Sequence, residues 1–189
     1  MLVVVNGSVE LAQHLTAEGF EVTTDFGQPI DALVHVPDLA AAATREFAEL
    51  DDAAWDVRGE AVLRDALHAC QSAYAAMKGR GGRIVVVTPT VALVGGEGRA
   101  PFAMACEGIR TMAKVAARQW GAEGITANCV APSLDTFGIE HDSRGTVAPA
   151  LGRTPGIADL ARVVAALLRD AGTAVTGVTI PVDGGVVMP

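Results

Sequence analysis

Five short runs of aliphatic residues set the terms for the fold of this chain. They are "LVVVN" (2–6), "IDALVHV" (30–36), "RIVVVTP" (83–89), "ITANCVAP" (125–132) and "GVTIPV" (177–182), and they carry apolar residues on consecutive as well as alternate positions. A strand apolar on both parities is buried on both faces, which demands a parallel sheet with helices above and below. "FEVTT" (20–24) adds a sixth, weaker strand. Helical patterns lie between them: "VELAQHLTAEG" (9–19), which stops at a glycine; one long helix over 49–82 that begins with cap candidates Asp51 and Asp52; 102–120; and "IADLARVVAALLRD" (157–170). The Ala-rich stretch 38–50 is helix-compatible. Strand–helix alternation of this kind predicts a doubly wound α/β fold.

The long helix carries two apolar stripes. One runs Val62, Ala66, Cys70, Ala73, Met77 and the other Leu63, Leu67, Tyr74. A helix lying on a sheet needs one stripe. The second implies either contact with another subunit or a helix buried all round.

At 189 residues the chain suits one domain, 1–189. Half of it is hydrophobic but only 4% aromatic, so the core is built from Ala, Val, Leu and Ile. The net charge of −8 and the lack of a basic run argue against a nucleic-acid partner. No apolar stretch approaches the roughly 20 residues of a membrane helix, and Met1 leads into a strand without a leader pattern. Cys70, Cys106 and Cys129 read as free thiols, so a cytoplasmic setting is expected. His14, His35, His68 and His141 are scattered without metal-ligand spacing.

From residue 47 onward, "FAELDDAAWD", the stretch from Gly81 to Ser133 and "VTGVTIPVDGG" recur in an order and spacing that resemble the short-chain dehydrogenase/reductase family, especially its 3-oxoacyl-reductase-like branch. "FAELDDAAWD" looks like the entry to that family's fourth main helix. "GGRIVVVTPTVALVGGEGRAPFAMACEGIRTMAKVAARQWGAEGITANCVAPS" follows it from the catalytic strand through the catalytic helix to the next strand, and "VTGVTIPVDGG" is its closing signature. The likeness covers roughly 47–136 and 150–189 and is loose over 1–46. It implies a Rossmann-like sheet of about six strands that lacks one strand–helix unit, because only Phe26 to Pro29 separate Asp25 from the strand at 30–36.

The family's chemistry uses a tyrosine, a lysine four residues later, a serine and an asparagine. A phenol of pKa about 10 needs a neighbouring cation to exchange protons near neutrality, and the i, i+4 spacing puts both on one helix face. On this sequence the tyrosine position is Phe102, the lysine position Cys106, the serine position Pro89 and the asparagine position Val62. None of the four can play its family part. Thr88 and Thr90 flank Pro89 and could offer a hydroxyl, Asp135 and Thr136 lie in the loop after the strand, and Cys106 could offer a thiolate, although no cation stands beside it in sequence.

The family's cofactor turn, Thr-Gly-x-x-x-Gly-x-Gly, reads Asn6, Gly7, Ser8, Val9, Glu10 here. It keeps one glycine, and Glu10 brings negative charge where phosphates would sit. The favoured reading is a tight strand–helix turn with Ser8 as N-cap and Glu10 favourable to the helix dipole. Asp25, after the second strand, is the one relic of a ribose-binding acid, so Gly7, Ser8 and Asp25 are the vestigial cofactor positions. The family's Asn-Asn-Ala-Gly turn reads His35, Val36, Pro37, Asp38, and the lid segment between Asp135 and Leu151, with Gly138, Gly145 and Pro149, is cut back.

The resemblance implies a non-catalytic subunit, with no cofactor of its own, that supports an active paralogue holding NAD or NADP. In the family the long helix and the catalytic helix join subunits, and the last strand and helix make a second contact. The interface candidates are therefore Leu63, Leu67, Tyr74, Met112, Val115, Val178, Ile180 and Val182. Self-association is the other use of these surfaces. Two further readings stay open: a divergent oxidoreductase using Cys106 or Thr90, and a small-molecule-binding protein whose apolar pocket is lined by Phe102, Val62, Pro89 and Leu93.

Overall fold

The computed structural model describes residues 1–140 and 147–188. Six strands form one parallel sheet: β1 (Leu2–Asn6), β2 (Glu21–Thr23), β3 (Ala32–His35), β4 (Gly82–Val87), β5 (Ile125–Pro132) and β6 (Thr179–Val182), in the order β2-β1-β3-β4-β5-β6. Every neighbouring pair is parallel. β3 shows all four residues buried and β5 all eight, as apolar runs on both parities require. The chain leaves β1 toward one edge, returns, and continues on the other side, so the topological switch point lies between β1 and β3.

Helices α1 (Val9–Ala17) and α6 (Ile157–Leu168) cover one face, over a core of Val3, Val5, Val34, Val85, Leu160 and Val164. The other face carries α3 (Ala61–Met77) and α5 (Ala100–Trp120), packed on Val4, Leu33, Ile84 and Cys129. The few aromatic rings leave that core to small side chains; Ala66, Ala73 and Ala105 are fully buried and let helix approach sheet closely.

The elements differ from expectation at their ends. The long helix starts at α2 (Asp52–Trp55), where Asp51 accepts the Ala54 N–H at 2.7 Å, and passes through a π-helical turn at Asp56–Glu60 into α3. The glycines at its end lie outside it: Gly79 and Gly81 take φ of +76° and +75°, which no helix can use. α5 opens at Ala100, two residues earlier than expected, because Pro101 fits the first turn, where its missing N–H costs nothing. Residues 38–50 form two 3₁₀ turns, Leu39–Ala42 and Phe47–Glu49, rather than a helix. Residues 24–31 join β2 directly to β3 without a helix or strand.

The second stripe of α3 settles one alternative. Val62, Ala66, Cys70, Ala73 and Met77 face the core, whereas Leu67 is 41% exposed, so the helix is not buried all round.

Candidate active site

In a doubly wound sheet, ligands meet the loops beyond the carboxyl ends of the strands. Here those ends present Asn6, His35, Thr88 to Thr90, Pro132 and Asp183. The four positions expected from the resemblance to correspond to the family's chemistry all lie inside the molecule. Phe102 and Cys106 are wholly inaccessible, Val62 is 4% exposed, and the three belong to one apolar cluster with Ala66, Val86 and Cys129. Pro89 is buried as well, and its carbonyl accepts the Ala92 N–H at 3.0 Å to open the short helix α4 (Val91–Val94).

A thiol at this depth is a poor acid. Burial first, then the neighbouring Cys129 and Glu107, push the Cys106 thiol far above its ordinary range. Burial also raises Cys129, whose sulfur lies 2.9 Å from the Thr88 hydroxyl. The next cation along the helix, Arg110, is already bound by Glu107, with Nε to Oε1 at 2.9 Å. Thr90 donates its backbone N–H to Pro132 at 2.8 Å and is 8% exposed. The substitutes thus lie apart in role: Thr88 is spent on Cys129, and Thr90 borders a different space.

That space is a cleft of about 360 Å³ between Thr90, Val91 and Val94, the loop Ser133–Asp135, and Val147, Pro149, Thr154, Asp183 and Val187. The expected pocket lined by Phe102, Val62, Pro89 and Leu93 is not this one. Phe102 and Val62 belong to the core and do not line it, and the wall comes from α4, the loop after β5, residues 147–154 and the segment after β6. Asp183 shapes that wall. It is 2% exposed and accepts three backbone N–H groups, from Gly185 at 2.9 Å, Val186 at 3.2 Å and Val187 at 2.8 Å. Sequence reading passed over it; an Asp followed by two glycines at a strand end is the turn signal that points to it. Arg99 was missed too. It is 6% exposed and donates to the Ala42 carbonyl at 2.8 Å and to the Glu140 carbonyl at 3.1 Å, fastening the loops after β3 and β5 to the start of α5. The lid position Gly145 lies outside the described residues.

On the cofactor side, the β1–α1 turn is built for packing. Gly7 has φ +93°, and a Cβ there would stand 1.9 Å from the Val36 carbonyl oxygen. Ser8 Oγ caps α1 by accepting the Leu11 N–H at 3.2 Å, and Glu10 occupies the first turn. At the helix start that would receive a pyrophosphate, one N–H is therefore already met by a hydroxyl, and an acidic residue stands in the same turn. Asp25 is exposed, and its Oδ1 accepts the Gly27 N–H at 2.7 Å. One glycine pressed onto protein and an acid tied into its own turn do not fit the family's dinucleotide cradle.

Among the interface candidates, five have partners within the chain: Met112 and Ile180 pack in part against the two core clusters, and three are held more closely. Leu63 covers Gly108, where a Cβ would come within 2.7 Å of its Cδ1; the Tyr74 ring stacks on Trp120 at 4.6 Å and its hydroxyl donates to Glu123 at 3.1 Å; Val182 is buried. Leu67, Val115 and Val178 are exposed, and Met112 and Ile180 are half-buried.

The comparisons agree with this architecture. A family model described as Enoyl-(Acyl carrier protein) reductase matches residues 3–187. The 3-oxoacyl-[acyl-carrier-protein] reductase FabG of Escherichia coli (strain K12) is 32% identical over 178 residues, covering 89% of this chain and 70% of the relative. Its namesake in Staphylococcus aureus (strain Mu50 / ATCC 700699) is 30% identical over 193 residues, covering 97% and 76%. The crystal structure of acetoin dehydrogenase from Enterobacter cloacae superposes with a TM-score of 0.77 at 20% identity, over 97% of this chain and 94% of that one. With its parallel six-stranded sheet and a family match running nearly end to end, the chain belongs to the short-chain dehydrogenase/reductase family of oxidoreductases.

Proposed function

We propose that this chain is a non-catalytic member of the family that assembles with an active paralogue and supports that partner's site. The reading rests on one observation: the positions of the acid and its activating cation hold Phe102 and Cys106, both fully enclosed. Neither can exchange a proton with a substrate, because a phenyl ring has no acidic hydrogen and the thiol is held protonated by burial. The packed Gly7 turn supports the same reading for the cofactor, so NAD or NADP belongs to the partner. By likeness to the 3-oxoacyl reductases, that partner works on acyl thioesters or related ketones and alcohols. Leu67 and Val115, on the outer sides of α3 and α5, and Val178, just before β6, are the interface candidates left exposed to meet it.

The test is copurification from the native cell together with fluorescence titration by NADH and NADPH. The proposal expects an active family member in constant ratio and no submillimolar binding by the isolated chain. A monomer or pure homodimer beside its encoded neighbour removes the assembly. Redox turnover by the lone protein, lost on changing Cys106 or Thr90, establishes the divergent-enzyme reading instead. The cleft beside Thr90 and Asp183 favours a second reading, a small-molecule-binding protein. A thermal shift with acyl-CoA, steroid or polyketide-like ligands would support it, and no shift would count against it.

A further inference from the structure

His35 ends β3 at the topological switch point, registered against Asn6 of β1 and Val86 of β4. It is completely inaccessible, and one ring nitrogen has a partner: Nδ1 lies 3.3 Å from the Asn6 Nδ2. Nε2 is buried and has no hydrogen-bond partner. A neutral imidazole tolerates this, since one nitrogen meets the amide and one N–H or lone pair goes unmet. An imidazolium does not. It carries two N–H donors, and the Asn6 amide can accept from one of them only after turning its oxygen inward, which leaves the other with nothing.

The charges around the ring give little help. β1 offers the uncharged Asn6, and β4 offers valines. α3 brings Asp65, whose field favours the cation, but this residue is exposed to water. The segment after β3 brings Asp38, whose Oδ1 is bound to the Ala40 N–H at 3.0 Å. Arg99, the cation at the start of α5, is engaged by the Ala42 and Glu140 carbonyls. Burial outweighs the pull of Asp65 and holds the imidazole below its usual range.

His35 immediately precedes a close join in the chain. The Val36 N–H donates to the Asn6 carbonyl at 2.8 Å, and Gly7 rests on the Val36 carbonyl. These contacts fasten the loop after β1 to the loop after β3. We infer that His35 makes this join acid-sensitive: the neutral ring keeps the two loops together, and its protonation releases them. No proton relay or catalytic role is involved, so the inference stands apart from the subunit assembly proposed above.

Hydrogen exchange of the Val36 amide, measured by NMR on the whole protein and expressed as protection factors, tests it between pH 7.5 and 5.5. In the open state the ring takes a proton near the ordinary value of about 6.5. Below that pH, protection at Val36 should fall by up to about tenfold per pH unit in the wild type. His35→Gln keeps a side-chain amide and cannot be protonated in this range, so its protection should be flat. An equal slope in the variant, or no slope in the wild type, overturns the inference. If the variant does not fold, the wild-type ring resonances decide. A His35 that titrates near 6.5 while Val36 stays protected is fatal to it.

Discussion

Phe102→Tyr puts a phenol, by the addition of a single oxygen, at the position expected from the resemblance to hold the family's proton donor, and it asks whether that place still exists. Phe102 is wholly enclosed in a cluster of Val62, Ala66, Val86, Ala105 and Cys106, none of which offers a strong acceptor. A hydroxyl buried without a partner costs about 1–3 kcal/mol. For a chain of 189 residues, each kcal/mol lowers Tm by about 2–4 °C. The variant should therefore melt roughly 2–12 °C below wild type, with a phenol that stays protonated up to unfolding. Phe102→Ala sets the scale, since emptying the site should cost about 3–5 kcal/mol. Calorimetry reads the stability and absorbance near 295 nm reads the phenolate. If Phe102→Tyr is as stable as wild type, or its phenol ionises below the ordinary value of about 10, the position opens onto a polar cleft and the filled-core argument fails. Oxidation of NADPH by a Phe102→Tyr, Cys106→Lys double variant would fail it more directly.

Three further outcomes follow from the geometry. Ser8→Ala removes the cap on α1 and should lower stability by about 1 kcal/mol, whereas Ser8→Gly should cost only a few tenths, both read by urea unfolding. In the native protein at pH 8, Cys70, Cys106 and Cys129 should react with a thiol reagent only as fast as the chain opens, because all three are buried and Cys70 is pushed up to about 11. Rapid labelling of Cys106 would contradict its enclosure. Asp183→Ala strands three N–H groups at the end of β6 and should destabilise by about 1–3 kcal/mol or more, with the loss seen first in amide exchange of Gly185 to Val187.

The sheet was legible because its signal is redundant. Val3, Val4 and Val5, or Ile84 to Val87, leave no parity free for solvent, so burial on both faces follows from the letters alone. Helix ends were less legible, since propensity does not fix them: Pro101 permits α5 to begin before the apolar rhythm does, and the π turn at Asp56–Glu60 leaves no mark in composition. Residues 38–50 misled because alanine favours helix on average, while Pro37 and the Asp38 cap open a short turn that closes within one tight loop. The four positions could be nominated by spacing within the resemblance. Their enclosure could not, because it depends on which side chains from α3, β4 and α5 converge. The cleft walls came from Asp183 and Val187, far along the chain from Thr90.

The apolar character of these positions also has an energetic direction. A tyrosine, lysine, serine and asparagine at one buried locus need mutual hydrogen bonds, solvent access and a cofactor to satisfy them, and each one left unmet destabilises the fold. Phe102, Cys106, Pro89 and Val62 need none of these. They turn the mouth of the sheet into ordinary core that contributes to stability rather than drawing on it. The polar groups that remain nearby are already engaged: Thr88 with Cys129, Arg99 with two carbonyls, Asp183 with three amides. Of the buried groups at this end of the sheet, His35 alone keeps an unmet ring nitrogen among the described residues. The carboxyl ends of β1 and β3, where the fold ordinarily does its chemistry, are thus held together by a ring whose charge state decides whether the join stays closed.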